Sequence, residues 1–320
     1  MLALALACTL PPMRSPLIAL RSLLIALLVT AAVAGGGLAL TSCGADEAAG
    51  VDAAQAAEAT GKQGTARMTM RMKMSGLGLP APMTVKADGV TALREPRARI
   101  KMDLGPLLAL TGAPRETKGD LEMLIDGADF HVKPPELDGL KIPGGKSWVA
   151  LDLRAVAEAA GLPADGLGAL FALDPASQLR ALKAAKGLDE VGKQEIGGVE
   201  TTHFKGTYRV SDFIAALPDA KRAQARRALD AMKRIGGQET RLNDPTPAEL
   251  WIDDDGLMRR MRVTSKVPAQ AGVPAGNFVI DNELRDFGTK LDTTAPPASE
   301  SYDATHSLAK ALKGLPRGIR

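Results

Sequence analysis

Three histidines are the first side chains to consider as metal ligands or catalytic bases. His131, His203 and His306 lie far apart in the sequence, and none has a Cys or His neighbour at the spacing that zinc sites use. Two of them fall within predicted strands. We therefore expect no zinc site, and we expect His203 to be a strand residue whose hydrogen bonds are satisfied within the fold.

A second group with chemical potential is the run Asp253-Asp254-Asp255-Gly256. Its carboxylates suggest calcium, but the twelve-position ligand pattern of an EF-hand is missing. Asp and Gly also supply the geometry of a tight hairpin turn, and this is our interpretation. Because the sequence contains no Gly-x-Ser-x-Gly elbow, phosphate-binding loop or His-Glu-x-x-His run, we expect no catalytic residues, no cofactor and no metal.

The clearest chemical prediction concerns Cys43, the last residue of the run Leu40-Thr41-Ser42-Cys43. Arg14 and Arg21 provide a positive region, and an apolar core of signal-peptide length follows over residues 23–34. This order of charge, apolar core and small residues before a cysteine closely resembles a bacterial lipoprotein signal with its lipobox. The resemblance implies cleavage before Cys43, a diacylglyceryl thioether on its thiol and acylation of the new amino end.

An uncleaved transmembrane anchor is the alternative interpretation of this stretch. Residues 23–41 are only marginally long enough to cross a hydrocarbon core of roughly 30 Å. The polar, Ala-rich segment just after Cys43 is typical of a tether and favours the lipoprotein. Cys8 is a weaker candidate for lipidation because no positive charge precedes it, and Met13 is an alternative start of the chain.

Composition narrows the functional classes. Hydrophobic residues make up 45% of the 320 residues and charged residues 24%, which is ordinary for a globular chain. An aromatic content of 3% and a net charge of +3 argue against nucleic-acid binding, which uses aromatic stacking and a basic surface. No cysteine follows Cys43, so the exported part has no disulfide and is held together by burial alone.

The most regular pattern in the chain is an alternation of methionine with polar residues over residues 66–74. It places the methionines on one face of a half-buried antiparallel strand, and residues 97–104 show a similar apolar face. The methionine face is either ordinary core or a deformable wall for lipid chains, since flexible thioethers repack around ligands of variable shape. The candidate residues for a ligand cavity are Met68, Met70, Met72, Met74, Ile100 and Met102.

Strand patterns separated by turn residues continue along the chain. Residues 83–93 predict a hairpin or a continuous pair that turns at Asp88-Gly89, and residues 121–132 predict a hairpin at Asp126-Gly127. Two further hairpins are predicted, one across Gly197-Gly198 and one across Asp254-Asp255-Gly256. Further strands are predicted at residues 146–153, 191–195, 199–210 and, as the last one, 277–287. Helices are predicted around residues 52–59 and at residues 154–160, 174–186 and 219–235.

The predicted helix over residues 219–235 carries a basic face. This face could rest on anionic lipid head groups, where each charge contributes about 1 kcal/mol. A solvated helix face explains the same charges without any ligand. The candidate membrane-facing residues are Arg222, Arg226 and Arg227.

Many antiparallel strands, tight turns and a few helices predict an α+β fold. We expect a curved antiparallel half-barrel sheet with helices covering its concave face, and such a sheet tends to enclose an apolar cavity. The expected organisation is a signal peptide over residues 1–42, a flexible tether over 43–64, a single half-barrel domain over 65–294 and a Pro-rich C-terminal tail over 295–320.

Three segments together resemble a known family. Residues 146–153, residues 190–207, and the closing strand followed by Ala295-Pro296-Pro297-Ala298 look like the actinobacterial cell-envelope lipoproteins of the LppX and LprG kind. That family is similar in fold to the Lol-type lipoprotein carriers. The resemblance covers most of residues 60–300 as pattern and order, and it implies a half-open barrel around a cavity that takes acyl chains.

The sequence therefore predicts a lipoprotein anchored on the outer face of the cell membrane. We expect it to bind an apolar ligand, an envelope lipid or glycolipid, and to carry or present it without covalent chemistry. The alternative is a non-enzymatic structural or interaction lipoprotein, a scaffold or sensor domain, with no ligand cavity. The ligand, any protein partner and the oligomeric state stay open at this point.

Overall fold

The computed structural model describes residues 53–110, 118–136, 141–159, 188–209, 244–267 and 274–313, together with Arg222, Arg226 and Ala269. The strands are β1 (Thr65–Gly76), β2 (Met83–Ala92), β3 (Arg97–Asp103), β4 (Asp120–Asp126), β5 (Asp129–Lys133), β6 (Trp148–Asp152), β7 (Asp189–Ile196), β8 (Val199–Tyr208), β9 (Thr246–Asp253), β10 (Met258–Val267), β11 (Gly276–Arg285) and β12 (Ser301–Asp303). The helices are α1 (Ala53–Lys62), α2 (Gly105–Ala109), α3 (Leu153–Ala159) and α4 (Thr305–Lys313), with a 3-10 turn at Pro143–Gly145.

All twelve described strands form one curved sheet that does not close on itself. Its strand order is β12-β6-β5-β4-β3-β2-β1-β11-β10-β9-β8-β7, and every neighbouring pair is antiparallel except β12 with β6. Strands β1 to β6 form one meander and strands β7 to β11 form the other. They meet at the centre, where β1 pairs with β11.

One face of the sheet is apolar and carries the core. Since side chains alternate along a strand, the alternating pattern of β1 places its methionines on this face. Apolar side chains of all four described helices belong to the same core cluster, among them Ala56 of α1, Val156 of α3 and Leu308 of α4. The predicted α+β fold, a curved half-barrel with helices on its apolar concave face, is therefore confirmed.

The predicted turn at Asp88-Gly89 is wrong. Residues Met83–Ala92 form a single strand, which pairs with β1 along one edge and with β3 along the other. Gly89 is required for a different reason: a Cβ atom at this position would lie 2.2 Å from the carbonyl oxygen of Arg99. The glycine therefore permits close approach of two strands rather than a reversal of the chain.

The C-terminal boundary at residue 294 is also corrected. Residues Ser301–Asp303 pair in parallel with β6, and the amide of Ala304 donates to the carbonyl of Ala150 at 2.9 Å. Helix α4 then packs against α3. The described part of the expected tail therefore belongs to the folded unit. The sequence did not show this strand because three residues are too few to reveal an alternation.

The N-terminal boundary of the domain, expected at residue 65, is likewise corrected and lies earlier in the chain. The helix predicted around residues 52–59 is present as α1, but it is part of the core rather than the end of a tether. Ala56 and Ala57 are buried, and the amide of Met258 in β10 donates to the hydroxyl of Thr60 at 2.9 Å. Small alanine side chains allow this helix to lie close to the sheet. The same Ala-rich composition is typical of a tether, which is why the sequence predicted one here.

Several predictions lie outside the described residues. These are the signal peptide with Cys43, the helix at residues 174–186, and the helix at residues 219–235 apart from Arg222 and Arg226. Within the part of the chain that the structure describes, no helix is long and apolar enough to span a bilayer.

Candidate functional site

The apolar face is organised in rows that run across the strands. One row crosses eight neighbouring strands, from β8 to β4, and each of its residues is paired in register with the next. It contains Phe204, Leu250, Met261, Asn282, Met70, Ala87, Met102 and Leu121. Seven of the eight side chains are apolar, and the exception lies near the centre of the sheet.

A second row lies two residues away along the strands and runs from β11 to β12. It contains Leu284, Met68, Gly89, Ile100, Met123, Val132, Val149 and Tyr302. Apart from the tyrosine on the edge strand, this row carries no polar side chain. The two rows together form a continuous apolar strip, which we call the inner strip.

The inner strip brings together the predicted cavity residues of β1 and β3. Met68 and Ile100 lie in one row and Met70 and Met102 in the other, with only the small residues Gly89 and Ala87 between them. Met68, Met70 and Ile100 are buried, and Met102 is partly buried. Met72 and Met74 continue the same face toward the end of β1, where Met72 is partly buried and Met74 is buried.

Asn282 is the polar residue of the inner strip, and sequence reasoning missed it. It is 8% exposed, and no described residue provides a hydrogen-bond partner for its side-chain oxygen. The signal was present in β11, where Phe278, Ile280 and Leu284 alternate with outward residues and Asn282 occupies an inward position. A polar residue inside an apolar alternation is the pattern to look for.

Two other buried polar side chains, those of Thr60 and Thr91, have hydrogen-bond partners within the fold. The hydroxyl of Thr91 donates to the carbonyl of Ala92 at 3.0 Å, and the hydroxyl of Thr60 accepts from the amide of Met258. Buried polar groups are hydrogen-bonded in most proteins. The unpartnered side-chain oxygen of Asn282 departs from this pattern.

The opposite, convex face of the sheet carries a dense polar cluster around Trp251. This indole is 2% exposed although it lies on the outward face. His203 stacks on it with ring centroids 4.2 Å apart, while the guanidinium groups of Arg260 and Arg262 lie 4.8 and 5.4 Å from the ring centroid. The indole nitrogen of Trp251 donates to the side-chain oxygen of Gln194 at 2.9 Å, so the tryptophan is covered and its hydrogen bond is satisfied.

Carboxylates complete this convex cluster. Asp281 accepts hydrogen bonds from Arg260 at 2.7 Å and from Arg262 at 2.9 Å. Burial on its own would raise the pKa of Asp281, but the hydrogen bonds and charges of the two arginines outweigh it and hold the pKa below the usual value. The pKa of Glu249 is likewise lowered, because Lys205 and Arg262 outweigh its burial.

His203 is a satisfied strand residue, as predicted. Its Nε2 lies 2.9 Å from a carboxylate oxygen of Glu249. Burial, together with the charges of Lys205 and Arg262, lowers the pKa of His203 by more than the hydrogen bond and charge of Glu249 raise it, so the neutral imidazole is favoured in the folded state. The ring therefore acts as a flat packing surface for Trp251 and a hydrogen-bond partner for Glu249.

A polar cleft of about 530 Å³ also lies on the convex side, where residues 290–295 run beside β4 and β5. Arg97 donates to the hydroxyl of Thr293, which donates to Asp126 at 2.7 Å. His131 lines the cleft, and burial lowers the pKa of its imidazole against a smaller opposing effect of Asp129. None of the six predicted cavity residues lines this cleft.

The remaining candidates are separate from these sites. Arg222 and Arg226 are helical, partly exposed and exposed respectively, and Arg227 lies outside the described residues. The run at residues 253–256 forms the predicted hairpin turn, with the Asp253 carboxylate accepting from the amide of Leu257 at 2.8 Å. The described ranges contain no group of three or more His, Cys, Asp or Glu arranged to hold a metal ion.

Comparison with known proteins gives distant similarities. No family model matches the sequence. An uncharacterized 31.2 kDa protein of Streptomyces griseus, encoded in the rplA-rplJ intergenic region, is 26% identical over 166 residues, which is 52% of this chain and 50% of that protein. The chain therefore spans about half the length of this curated relative.

Three solved structures match over most of their own length at low sequence identity. LprF from Mycobacterium bovis matches with 15% identity over 78% of this chain and 99% of that chain, at a TM-score of 0.40. LppX from Mycobacterium tuberculosis matches with 11% identity over 75% of this chain and 97% of that chain, at a TM-score of 0.37. A LolA superfamily protein from Nitrosomonas europaea matches with 10% identity over 74% of this chain and 95% of that chain, at a TM-score of 0.24. LppX and the LolA superfamily are the groups that the sequence resembles, so that resemblance is found again here.

Proposed function

We propose that the protein is an extracytoplasmic lipoprotein, anchored to the membrane through Cys43, that binds an envelope lipid or glycolipid and carries or presents it. The observation that supports this most is the inner strip. It is a continuous apolar surface shared by strands from both halves of the sheet, centred on the pairing of β1 with β11. Burial of acyl chains against it contributes about 0.8 kcal/mol per CH₂ group, with no covalent step.

The dimensions of the strip suit an acyl chain. One row crosses eight strands, and neighbouring strands lie about 4.8 Å apart, so the row is roughly 33 Å long. The hydrocarbon core of a bilayer is roughly 30 Å thick and holds two leaflets of chains. A single chain, or two chains end to end, can therefore lie along a row.

The side chains of the strip suit ligands of variable shape. Unbranched, flexible thioethers occupy five positions of the strip, which are Met68, Met70, Met102, Met123 and Met261. Such side chains fill irregular space and adapt to different chains, whereas branched residues hold a fixed shape. We expect the site to accept several acyl lengths rather than one.

Lipid carried by the intact protein is the direct test of this function. The protein is extracted from its producing cell in a mild detergent and studied by native mass spectrometry, with lipids identified after denaturation. We expect one or two lipid molecules per chain in addition to the covalent anchor. A chain that carries only detergent, and takes up no lipid when incubated with vesicles of total envelope lipid, would refute the proposal.

Anchoring is tested separately, with the variant Cys43→Ala. We expect the wild-type protein to fractionate with membranes and its N-terminal peptide to carry diacylglyceryl and acyl groups. The variant should lose both properties because no thiol is left for the thioether. An unmodified N-terminal peptide upstream of Cys43 in the wild-type protein would favour the uncleaved transmembrane anchor.

A scaffold that presents a surface to another envelope protein is the second candidate. The near-complete burial of Met68, Ile100 and Leu250 favours it, because a solid core has the same property. This alternative expects no lipid in the extracted protein. It also expects the unfolding temperature to be unchanged by added lipid, whereas a bound ligand stabilises the folded state by mass action.

A further inference from the structure

Asn282 occupies the centre of an otherwise apolar row. Its register partners are Met70 on β1 and Met261 on β10, and its neighbours on the same face of β11 are Ile280 and Leu284. The side chain is more than nine-tenths buried. Leucine has a similar volume and would continue the row without a polar atom.

The side-chain oxygen of Asn282 has no hydrogen-bond partner among the described residues. An amide oxygen removed from water without a donor destabilises the folded protein, and the effect is largest in apolar surroundings. The buried hydroxyls of Thr60 and Thr91, by contrast, have partners within the fold. The amide of Asn282 is therefore a free acceptor built into the proposed binding surface.

We infer that Asn282 recognises the polar part of the ligand: its side-chain oxygen accepts a hydrogen bond from a hydroxyl group at the base of the ligand's apolar chains. This inference rests on the proposed function. The ligand class it assigns is an amphiphile with a free hydroxyl next to its chains, such as a diacylglycerol or a monoacylglycerol. Fully esterified lipids and plain hydrocarbons lack the donor.

Selectivity follows from the surroundings of the amide. A ligand with the hydroxyl group satisfies the oxygen of Asn282, while a ligand without it keeps that oxygen unpaired in an apolar environment and excludes water as well. Sites that hydrogen-bond a ligand hydroxyl discriminate strongly against analogues that lack it. Met70 and Met261 on either side supply the apolar contact for the chains.

The test compares two probes that differ by one hydrogen-bond donor. These are 1,2-dipalmitoylglycerol and its 3-O-methyl ether, which have the same acyl chains and nearly the same size. Full-length protein is freed of its own lipid, and each probe is titrated in competition with a fluorescent fatty acid. We expect the wild-type protein to bind the free alcohol about tenfold more tightly than the ether.

Two substitutions on β11 show which residue causes the preference. Asn282→Leu should bind both probes with equal affinity, whereas Asn277→Leu, the same change at an exposed position of the strand, should keep the preference. In the lipid-free state Asn282→Leu should also unfold a few degrees higher than the wild-type protein, because an unpaired polar group has been removed. A lower unfolding temperature would mean that the amide supports the fold, which would overturn the inference.

The outcomes separate the inference from the proposed function. Saturable binding of both probes with equal affinity by the wild-type protein overturns the role of Asn282 and leaves lipid binding intact. Absence of saturable binding for either probe and for the fluorescent fatty acid overturns both. The comparison of probes on the wild-type protein needs no variant, so it decides the matter even if Asn282→Leu fails to fold.

Discussion

Asp281 and Asn282 are consecutive residues of β11, yet they experience opposite environments. Asp281 points to the convex face and accepts hydrogen bonds from both Arg260 and Arg262. Asn282 points to the apolar face, where its oxygen has no partner among the described residues. On β11, therefore, the polar side chain on the convex face has its hydrogen bonds satisfied, whereas the oxygen of the one on the face that we propose binds lipid does not.

We propose that the convex face stabilises the fold and that the apolar face binds the ligand. An unpaired buried amide costs about 1–3 kcal/mol, a sizeable share of the 5–15 kcal/mol that stabilises a typical domain. The convex cluster supplies stability elsewhere, since its tryptophan, arginines and carboxylates satisfy one another. Substitutions on the two faces should consequently have opposite signatures.

The largest effect is expected from Trp251→Ala on the convex face. Loss of this fully covered indole removes its contacts with His203 and Arg260 and leaves a cavity, so the free energy of unfolding should fall by about 3–5 kcal/mol. Denaturant unfolding measures it. Lipid affinity of the fraction that stays folded should match the wild-type value; a selective loss of lipid binding at unchanged stability would reverse the assignment of the two faces.

Asp281→Asn should have the next largest effect. It removes the charge that Arg260 and Arg262 share, and we expect the free energy of unfolding to fall by about 1–3 kcal/mol. The matched change one residue away, Asn282→Leu, should act in the opposite direction. Thermal unfolding of both variants beside the wild-type protein checks the comparison, which fails if the two substitutions shift stability in the same direction.

Met70→Leu on the inner strip is expected to change stability by less than about 1.5 kcal/mol, because the volume is conserved. Its effect should appear in binding, since a branched side chain adapts less well than a thioether. We expect the wild-type protein to bind fatty acids of 14 to about 20 carbons with similar affinity and the variant to prefer a narrower range. An unchanged chain-length profile would contradict the role of methionine as an adaptable wall.

The smallest expected effect concerns pH. The pKa of His203 is lowered in the folded state, so this histidine contributes stability above its unfolded pKa of about 6.5, and the contribution is lost as pH falls toward the folded pKa. His131 is shifted in the same direction. The unfolding temperature should therefore decline between pH 7 and pH 5, less steeply in His203→Gln. Equal slopes in variant and wild type would show that His203 is not linked to folding.

The strands of the sheet could be predicted largely from local patterns. Alternation in β1 and the Asp-Gly turns after β4 and β9 are properties of adjacent residues, and they located the corresponding elements. The turn at Asp88-Gly89 was predicted wrongly because, in a sequence, a glycine that permits close strand approach cannot be told from a glycine in a turn. Strand β12 was missed because three residues have no measurable period.

The two faces were harder to predict because they depend on partners distant in sequence. The burial of Trp251 comes from His203 and Arg260 on the two neighbouring strands, and no local pattern shows it. The isolation of Asn282 is likewise defined by its partners Met70 and Met261. A sequence shows that a residue alternates inward, but only the register shows what surrounds it.

Photo-crosslinking with a fatty acid that carries a diazirine in its chain tests the central claim most directly. Strand β1 offers an internal control, because Met68, Met70 and Met72 face inward while Thr69 and Arg71 face outward. We predict that tandem mass spectrometry finds the label on the inward residues of β1 and on Ile100 or Met261, and that unlabelled oleate competes with it. Labelling of the outward residues, or labelling that oleate does not reduce, would contradict the account.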